Sequence, residues 1–283
     1  MSISSGTPNT VSLQKNNALP PELPPVDEYG KLLPQLLAEP RSGSAGWGIS
    51  WITNAFALFK EQFLLWIGMV VVYLIIMAVT SAIPVINFVF SIISFVFIGG
   101  IIKGCAAQVS GKELRFNHLF SAFGTHSGPL IILFLLYVVA LIIAIVPAGI
   151  IFVALAHVLS SSDSINSVLS ADQISNGTII ALLLASLVAI LIFIPLSMAV
   201  WFAPALIVLH DIRPIESMKM SLKGSLKNIG PLFVFFLVGP IIALLVFTFT
   251  LGIGMLVLVP IGMITYYTSY RDVWTDQPLS ATT

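Results

Sequence analysis

One apolar run of this chain carries side chains able to hydrogen-bond where no water is present. Asn87, Ser91 and Ser94 recur at i, i+4 and i+7, and Cys105 and Gln108 continue the same heptad face. Such a face turns inward and serves one of two purposes. It is helix glue, each hydrogen bond adding about 0.6 kcal/mol, or it walls a polar cavity or a path for a lipid headgroup. Gly100 and Gly104, four residues apart on this run, allow close approach of a neighbour and favour glue.

A second set stands where apolar runs end. Asp211 and Arg213 follow the fourth run, and Arg271 and Asp272 follow the sixth. Opposite charges at these exits are expected to pair around a cytoplasmic rim and hold the helices in register, beside tyrosines 266, 267 and 270, which match an aromatic belt. A third set, Lys219, Lys223 and Lys227, lines one side of a short amphipathic stretch whose other side is Ile215, Met218 and Leu222. That stretch is expected to lie in the membrane interface with its apolar side down. Its ammonium groups would meet anionic headgroups at about 1 kcal/mol per charge, and they also help hold the topology.

Acid-base and metal chemistry find little support. The spacings of His118, His126, His157 and His210 match no ligand motif, and Cys105 is the single cysteine. No HExxH, GxSxG or phosphate-cradling glycine loop occurs. Away from the ends of the apolar runs there is no Asp, Glu, Lys, Arg or His, the groups that carriers, pumps and intramembrane hydrolases use. A formal net charge of zero offers no field for nucleic acid. The expectation is a non-enzymatic protein with no cofactor and no metal, whose partners are membrane lipids and other envelope proteins.

The elements that position these groups must be membrane helices. A chain that is 58% hydrophobic and 8% charged, with mean hydropathy +1.04, has too few charges to cover a soluble exterior. Six runs, at 62–83, 85–108, 129–158, 178–209, 231–251 and 252–270, reach the length of about 20 residues that a bilayer demands. Uninterrupted stretches such as Ile131 to Val146 exclude an alternating barrel. Pro195 and Pro204 should tilt or kink the fourth run. All twelve Lys and Arg fall before the first run, between the second and third, between the fourth and fifth, or after the sixth, with Lys103 counted beside Lys112 and Arg115. The turn at Pro84, the Ser160 to Gly177 connection and the turn at Gly252 hold none, so both termini are expected in the cytoplasm. The first 46 residues hold no apolar core, so the first run is expected to direct insertion.

The predicted architecture is all-α, with six transmembrane helices in three hairpins. Each hairpin follows a cytoplasmic interfacial amphipathic helix, at Gly46 to Lys60, Leu114 to Phe123 and Pro214 to Lys227. Residues 1–46, with LPPELPP at 19–25, read as a disordered cytosolic tail or a dock for a proline-recognising domain. Residues 47–272 form the membrane domain and 273–283 a short cytosolic tail.

Several strings carry a resemblance: Gly46-Trp47-Gly48-Ile49-Ser50-Trp51, His118-Leu119-Phe120-Ser121-Ala122-Phe123, Trp201-Phe202-Ala203-Pro204-Ala205 and Tyr270-Arg271-Asp272. Together they resemble an uncharacterised family of six-span inner-membrane proteins of Gram-negative bacteria, over roughly residues 41–275. More distantly, the hairpin pattern is similar to the membrane domain attached to some glycerophosphodiester phosphodiesterases, without their catalytic domain. The resemblance implies a multi-pass protein of the bacterial inner membrane and no particular reaction. Two functions follow as expectations: a scaffold or accessory protein acting through its interfacial helices, or a passive or facilitated pathway for a lipid-like or amphiphilic solute along the Asn87 stripe.

Overall fold

The structure, a computed structural model, describes Val26, residues 32–159 and residues 176–280. It divides into two units, Met1–Leu33 and Pro34–Thr283. In the first, Val26 and Leu32 form an isolated antiparallel bridge. Asp163 and Asp172, and most of the connection expected outside the cytoplasm, lie outside the described residues.

In the second unit the described residues are mostly helical. The α-helices are α1 (Trp47–Glu61), α2 (Phe63–Ser81), α3 (Pro84–Val109), α4 (Ser127–Leu159) and α5 (Asn176–Trp201). They continue as α6 (Ala203–His210), α7 (Pro214–Lys227), α8 (Ile229–Phe249) and α9 (Met255–Trp274). The stretch expected as an amphipathic α-helix at 114–123 is instead a 3-10 turn at Phe116–Phe120. Prolines open α3, α6 and α7 within their first two positions, where a missing N–H costs nothing. Gln62, at φ −138° and ψ 46°, separates α1 from α2. Leu251 (φ 51°) and Gly252 (φ 88°) turn the chain between α8 and α9, a left-handed pair natural to glycine and strained for leucine.

The fourth run breaks where Pro204 predicts. Pro204 cannot donate to the carbonyl of Val200, and the helix ends at Trp201 to restart at Ala203. Two other backbone groups that lose their helical bond at the break, Phe202 N–H and Met198 O, are satisfied from α7. The Ser221 hydroxyl inserts into the gap, accepting from Phe202 N–H at 2.9 Å and donating to the Met198 carbonyl at 2.7 Å. The Ser225 hydroxyl donates to the same carbonyl at 3.1 Å. A neighbouring helix thus re-satisfies a broken one, as buried membrane segments require.

Among the described residues, five helical segments are long and apolar enough to cross a membrane: Phe63–Ser81, Ile86–Val109, Ser127–Leu155, Ile179–His210, which spans the break at Phe202, and Ile229–Phe249. In Ile179–His210 and Ile229–Phe249 only 6% of the most apolar window is buried within the protein, against 50% in Ile86–Val109. So much exposed apolar surface needs lipid around it. The sixth expected run becomes α9, but its second half is polar, with Thr265, Thr268, Ser269, Arg271 and Asp272 all buried. The reason is its position. It packs against α1, α2 and α3, so protein rather than lipid surrounds it there and hydropathy is no guide.

The core gathers at one end of the bundle. Trp51, Trp66, Trp274, Tyr267, Tyr270, Phe202 and Leu119 are fully buried there, and α1, the 3-10 turn, α6, α7 and the end of α9 join in this polar layer.

Candidate functional site

The α3 stripe divides in two. Asn87 is exposed, and the hydroxyls of Ser91 and Ser94 donate back to their own helix, to Asn87 O at 2.9 Å and Ser91 O at 2.6 Å. Cys105 and Gln108 are buried in the polar layer. Gln108 is the polar hub of three helices. Its amide donates to Leu58 O at 2.8 Å and to the Glu61 carboxylate at 2.7 Å, and its carbonyl accepts from the Trp66 indole at 3.1 Å. Leu58 O lies in the last turn of α1, where the break at Gln62 removes its helical partner. Gly100 and Gly104 do not seat another span. A Cβ on Gly100 would stand 2.4 Å from Leu119 O, and one on Gly104 would stand 3.0 Å from Leu114 Cδ1, so both make room for the 3-10 turn and the chain leading into it.

Lys103 is inside α3, not in the connection after it. Its ammonium donates to His126 Nδ1 at 2.8 Å and lies 3.4 Å from Ser121 O, while His126 Nε2 faces Asp211 Oδ1 at 3.0 Å. Asp211 sits at the left-handed cap of α6, φ 54°. A Lys–His–Asp chain therefore ties α3, the entry to α4 and the end of α6. The signal was legible: an ionisable residue within an apolar run reads as a special site by default.

The expected rim does not pair with itself. Among the described residues no ion pair joins Asp211, Arg213, Arg271 and Asp272. Arg213 is exposed and Asp211 pairs with His126. Arg271 and Asp272 instead grip the C-terminal segment. The Arg271 guanidinium donates to Gln277 O at 2.8 and 3.2 Å and to the Tyr267 hydroxyl at 2.8 Å, over whose ring it also lies. The Asp272 carboxylate accepts from Leu279 N–H at 2.5 Å, Ser280 N–H at 2.8 Å and the Ser280 hydroxyl. Burial raises the Asp272 carboxyl above its ordinary range, against the lowering effect of those hydrogen bonds.

The segment read as the end of a tail is also held. Leu37 N–H donates to Trp274 O at 2.9 Å, Arg41 N–H to Val273 O at 2.8 Å, and Asp276 N–H to Gln35 O at 3.1 Å. Asn228 fixes the same run, donating to Arg41 O at 2.8 Å and accepting from Gly43 N–H at 2.9 Å. Composition misses this because backbone pairing over so long a chain separation leaves no periodic mark.

The α7 lysines meet this run. Lys223 pairs with Glu39 at 2.6 Å and holds its carboxyl below the ordinary range, and Lys227 donates to Pro40 O at 2.8 Å. Lys219 lies 3.9 Å from Glu216. The helix docks on the protein by neither of the two sides read from the sequence. Its buried side is Ser217, Ser221, Gly224 and Ser225, while Ile215 and Leu226 stay more than half exposed beside the lysines.

An apolar groove of about 510 Å³ runs between α4 and α5, lined by residues such as Ala144, Ala148, Phe152, Ala185 and Ala189. None of the α3 stripe, the rim residues or the α7 lysines lines it. Among the described residues, no group of three or more His, Cys, Asp or Glu side chains could hold a metal ion. The chain matches no protein-family model, no curated protein and no solved structure.

Proposed function

We propose that this chain is a six-span protein of the bacterial inner membrane, with both termini cytoplasmic, belonging to the family its motifs resemble. It acts as a non-enzymatic scaffold or accessory protein that engages lipids and envelope proteins through its interfacial elements. In this reading residues 252–270, which form most of α9, are the sixth span and pair with α8 as the third hairpin, leaving Arg271 and Asp272 beyond the membrane. The observation that carries the scaffold reading is how its polar groups are used. Gln108, Arg271, Asp272 and Asn228 are buried and bonded to other segments of the chain, joining helices with the segments around residues 41–43 and 277–280 into one layer. A pathway along the α3 stripe lacks comparable support, because Ser91 and Ser94 are bonded to their own backbone.

Topology is tested with single cysteines at Ser167 and Ser12, probed with a membrane-impermeant maleimide on intact spheroplasts. Labelling at 167 and protection at 12 are expected, and the reverse pattern would invert the orientation. The scaffold role is tested by gentle extraction followed by mass spectrometry of bound lipids and proteins. Retained envelope proteins are expected. A protein that retains none, yet moves labelled lipid between leaflets of reconstituted vesicles, would replace the scaffold with a pathway.

A further inference from the structure

We propose that residues 34–43 form a strap that occupies, from within the chain, the lysine sites of α7 that anionic lipid headgroups would otherwise take, so that an anionic membrane surface displaces it. The inference rests on the interfacial reading of α7 and adds a regulated element to it.

The helix has three sides. Its serine and glycine side docks on the protein, where Ser221 and Ser225 hold Met198 O and Gly224 abuts the Trp274 indole. Ile215 and Leu226 then project from the protein, 58% and 54% exposed. Lys219, Lys223 and Lys227, spaced by four residues, form the third side, adjoining the apolar pair. An apolar strip flanked by a row of ammonium groups is the arrangement of a helix lying at a lipid surface, with its cations at headgroup level. α7 also leads through Asn228 directly into the apolar α8, which keeps it beside the membrane.

Two of the three cations already have an anionic or carbonyl ligand from the strap. Glu39 presents a carboxylate to Lys223 at 2.6 Å, and Pro40 presents its carbonyl to Lys227 at 2.8 Å. The Lys223 and Glu39 side chains remain 57% and 64% exposed, so the pair is open to competition. An exposed ion pair and a lysine at an anionic surface are of similar strength, so abundant headgroups tip the balance. The backbone pairing to Val273 and Trp274 gives the strap a defined place to return to.

The test is tryptic cleavage after Arg41, read as the appearance of the fragment beginning at Ser42, on full-length protein in lipid nanodiscs. In phosphatidylcholine discs the bond is protected, since Arg41 N–H and C=O are both bonded. In discs containing phosphatidylglycerol, cleavage is expected to rise about tenfold, the factor for one to two lysines exchanging ligands. The Lys223→Gln/Lys227→Gln variant should cleave fast in both lipids and lose the difference between them. Equal protection of the native chain in both discs overturns the proposal, as does the same acceleration by soluble glycerol phosphate at matched headgroup concentration. A fluorophore on Leu226→Cys, quenched by brominated lipid, reads the position of α7 separately. Quenching without a cleavage change sinks the strap alone. Absence of quenching sinks the interfacial reading and the strap with it.

Discussion

Replacing Gln108 by leucine keeps the volume of the side chain and removes its three hydrogen bonds. The variant strands two deeply placed groups, the Trp66 indole N–H, in a residue 1% exposed, and Leu58 O at the end of α1. The third partner, Glu61, is exposed and returns to water. A buried donor or acceptor left unpaired costs about 1–3 kcal/mol, so two give about 2–6 kcal/mol. At roughly 2–4 °C per kcal/mol for a chain of this size, the unfolding midpoint falls by about 4 °C or more. Ser91→Ala, on the same helix face, removes only a bond to its own backbone and should change stability by less than about 0.5 kcal/mol. Both variants are measured by thermal unfolding in one detergent, following size-exclusion recovery of the folded species. A Gln108→Leu midpoint equal to the native one, or a Ser91→Ala loss as large, refutes the division of the stripe into a bonded hub and an idle outer half.

Four further outcomes are expected. Gly100→Ala should lose about 1–3 kcal/mol because its methyl meets backbone oxygens of His118 and Leu119; Gly68→Ala, with nothing within 4 Å, should gain up to about 1 kcal/mol of helix propensity. Ser221→Ala orphans Phe202 N–H and should cost about 1–3 kcal/mol, whereas Ser225→Ala leaves Met198 O its bond to Ser221 and should be nearly silent in the same melts. Asp272 binds its proton more tightly folded than unfolded, so its contribution is complete below about pH 3.9 and is lost as pH rises through the raised folded value. Melting curves of Asp272→Asn should lack that downward slope, and an unchanged slope would show that another group titrates. A double-mutant cycle between Lys103→Met and His126→Gln should show coupling of at least about 0.5 kcal/mol, and simple additivity would dissolve the Lys–His–Asp chain.

Much of the scaffold was legible in the residues. Pro84, Pro204 and Pro214 mark three helix starts because a missing N–H has only a few tolerable places. Of the six runs that length and hydropathy pick out, five are helices able to span among the described residues. The site was less legible, for reasons that differ residue by residue. Arg271 and Asp272 follow an apolar run and so read as a rim, but the segment they grip, 277–280, has no pattern of its own. Lys103 was assigned to the connection by the charge partition, although α3 continues to Val109. The strap was hidden because proline-rich composition describes what a segment cannot pack, not what a distant backbone edge can offer it.

The amphipathic pattern of α7 shows where single-helix reasoning stops. Periodicity distinguishes one face from another, yet it does not say which face meets protein and which meets lipid. In water, the apolar face must be the docked one. In the interfacial setting proposed above the choice reverses, because lipid would accept Ile215 and Leu226, while Ser217, Ser221 and Ser225 find hydrogen-bond acceptors in the broken α5–α6 junction and the helix's own first turn. The break created by Pro204 and the serine face of α7 are therefore two halves of one solution. In α9 the threonines, Arg271 and Asp272 are buried beside apolar side chains such as Trp51, Ile264 and Val273, so polar bonding and apolar packing share that end of the bundle.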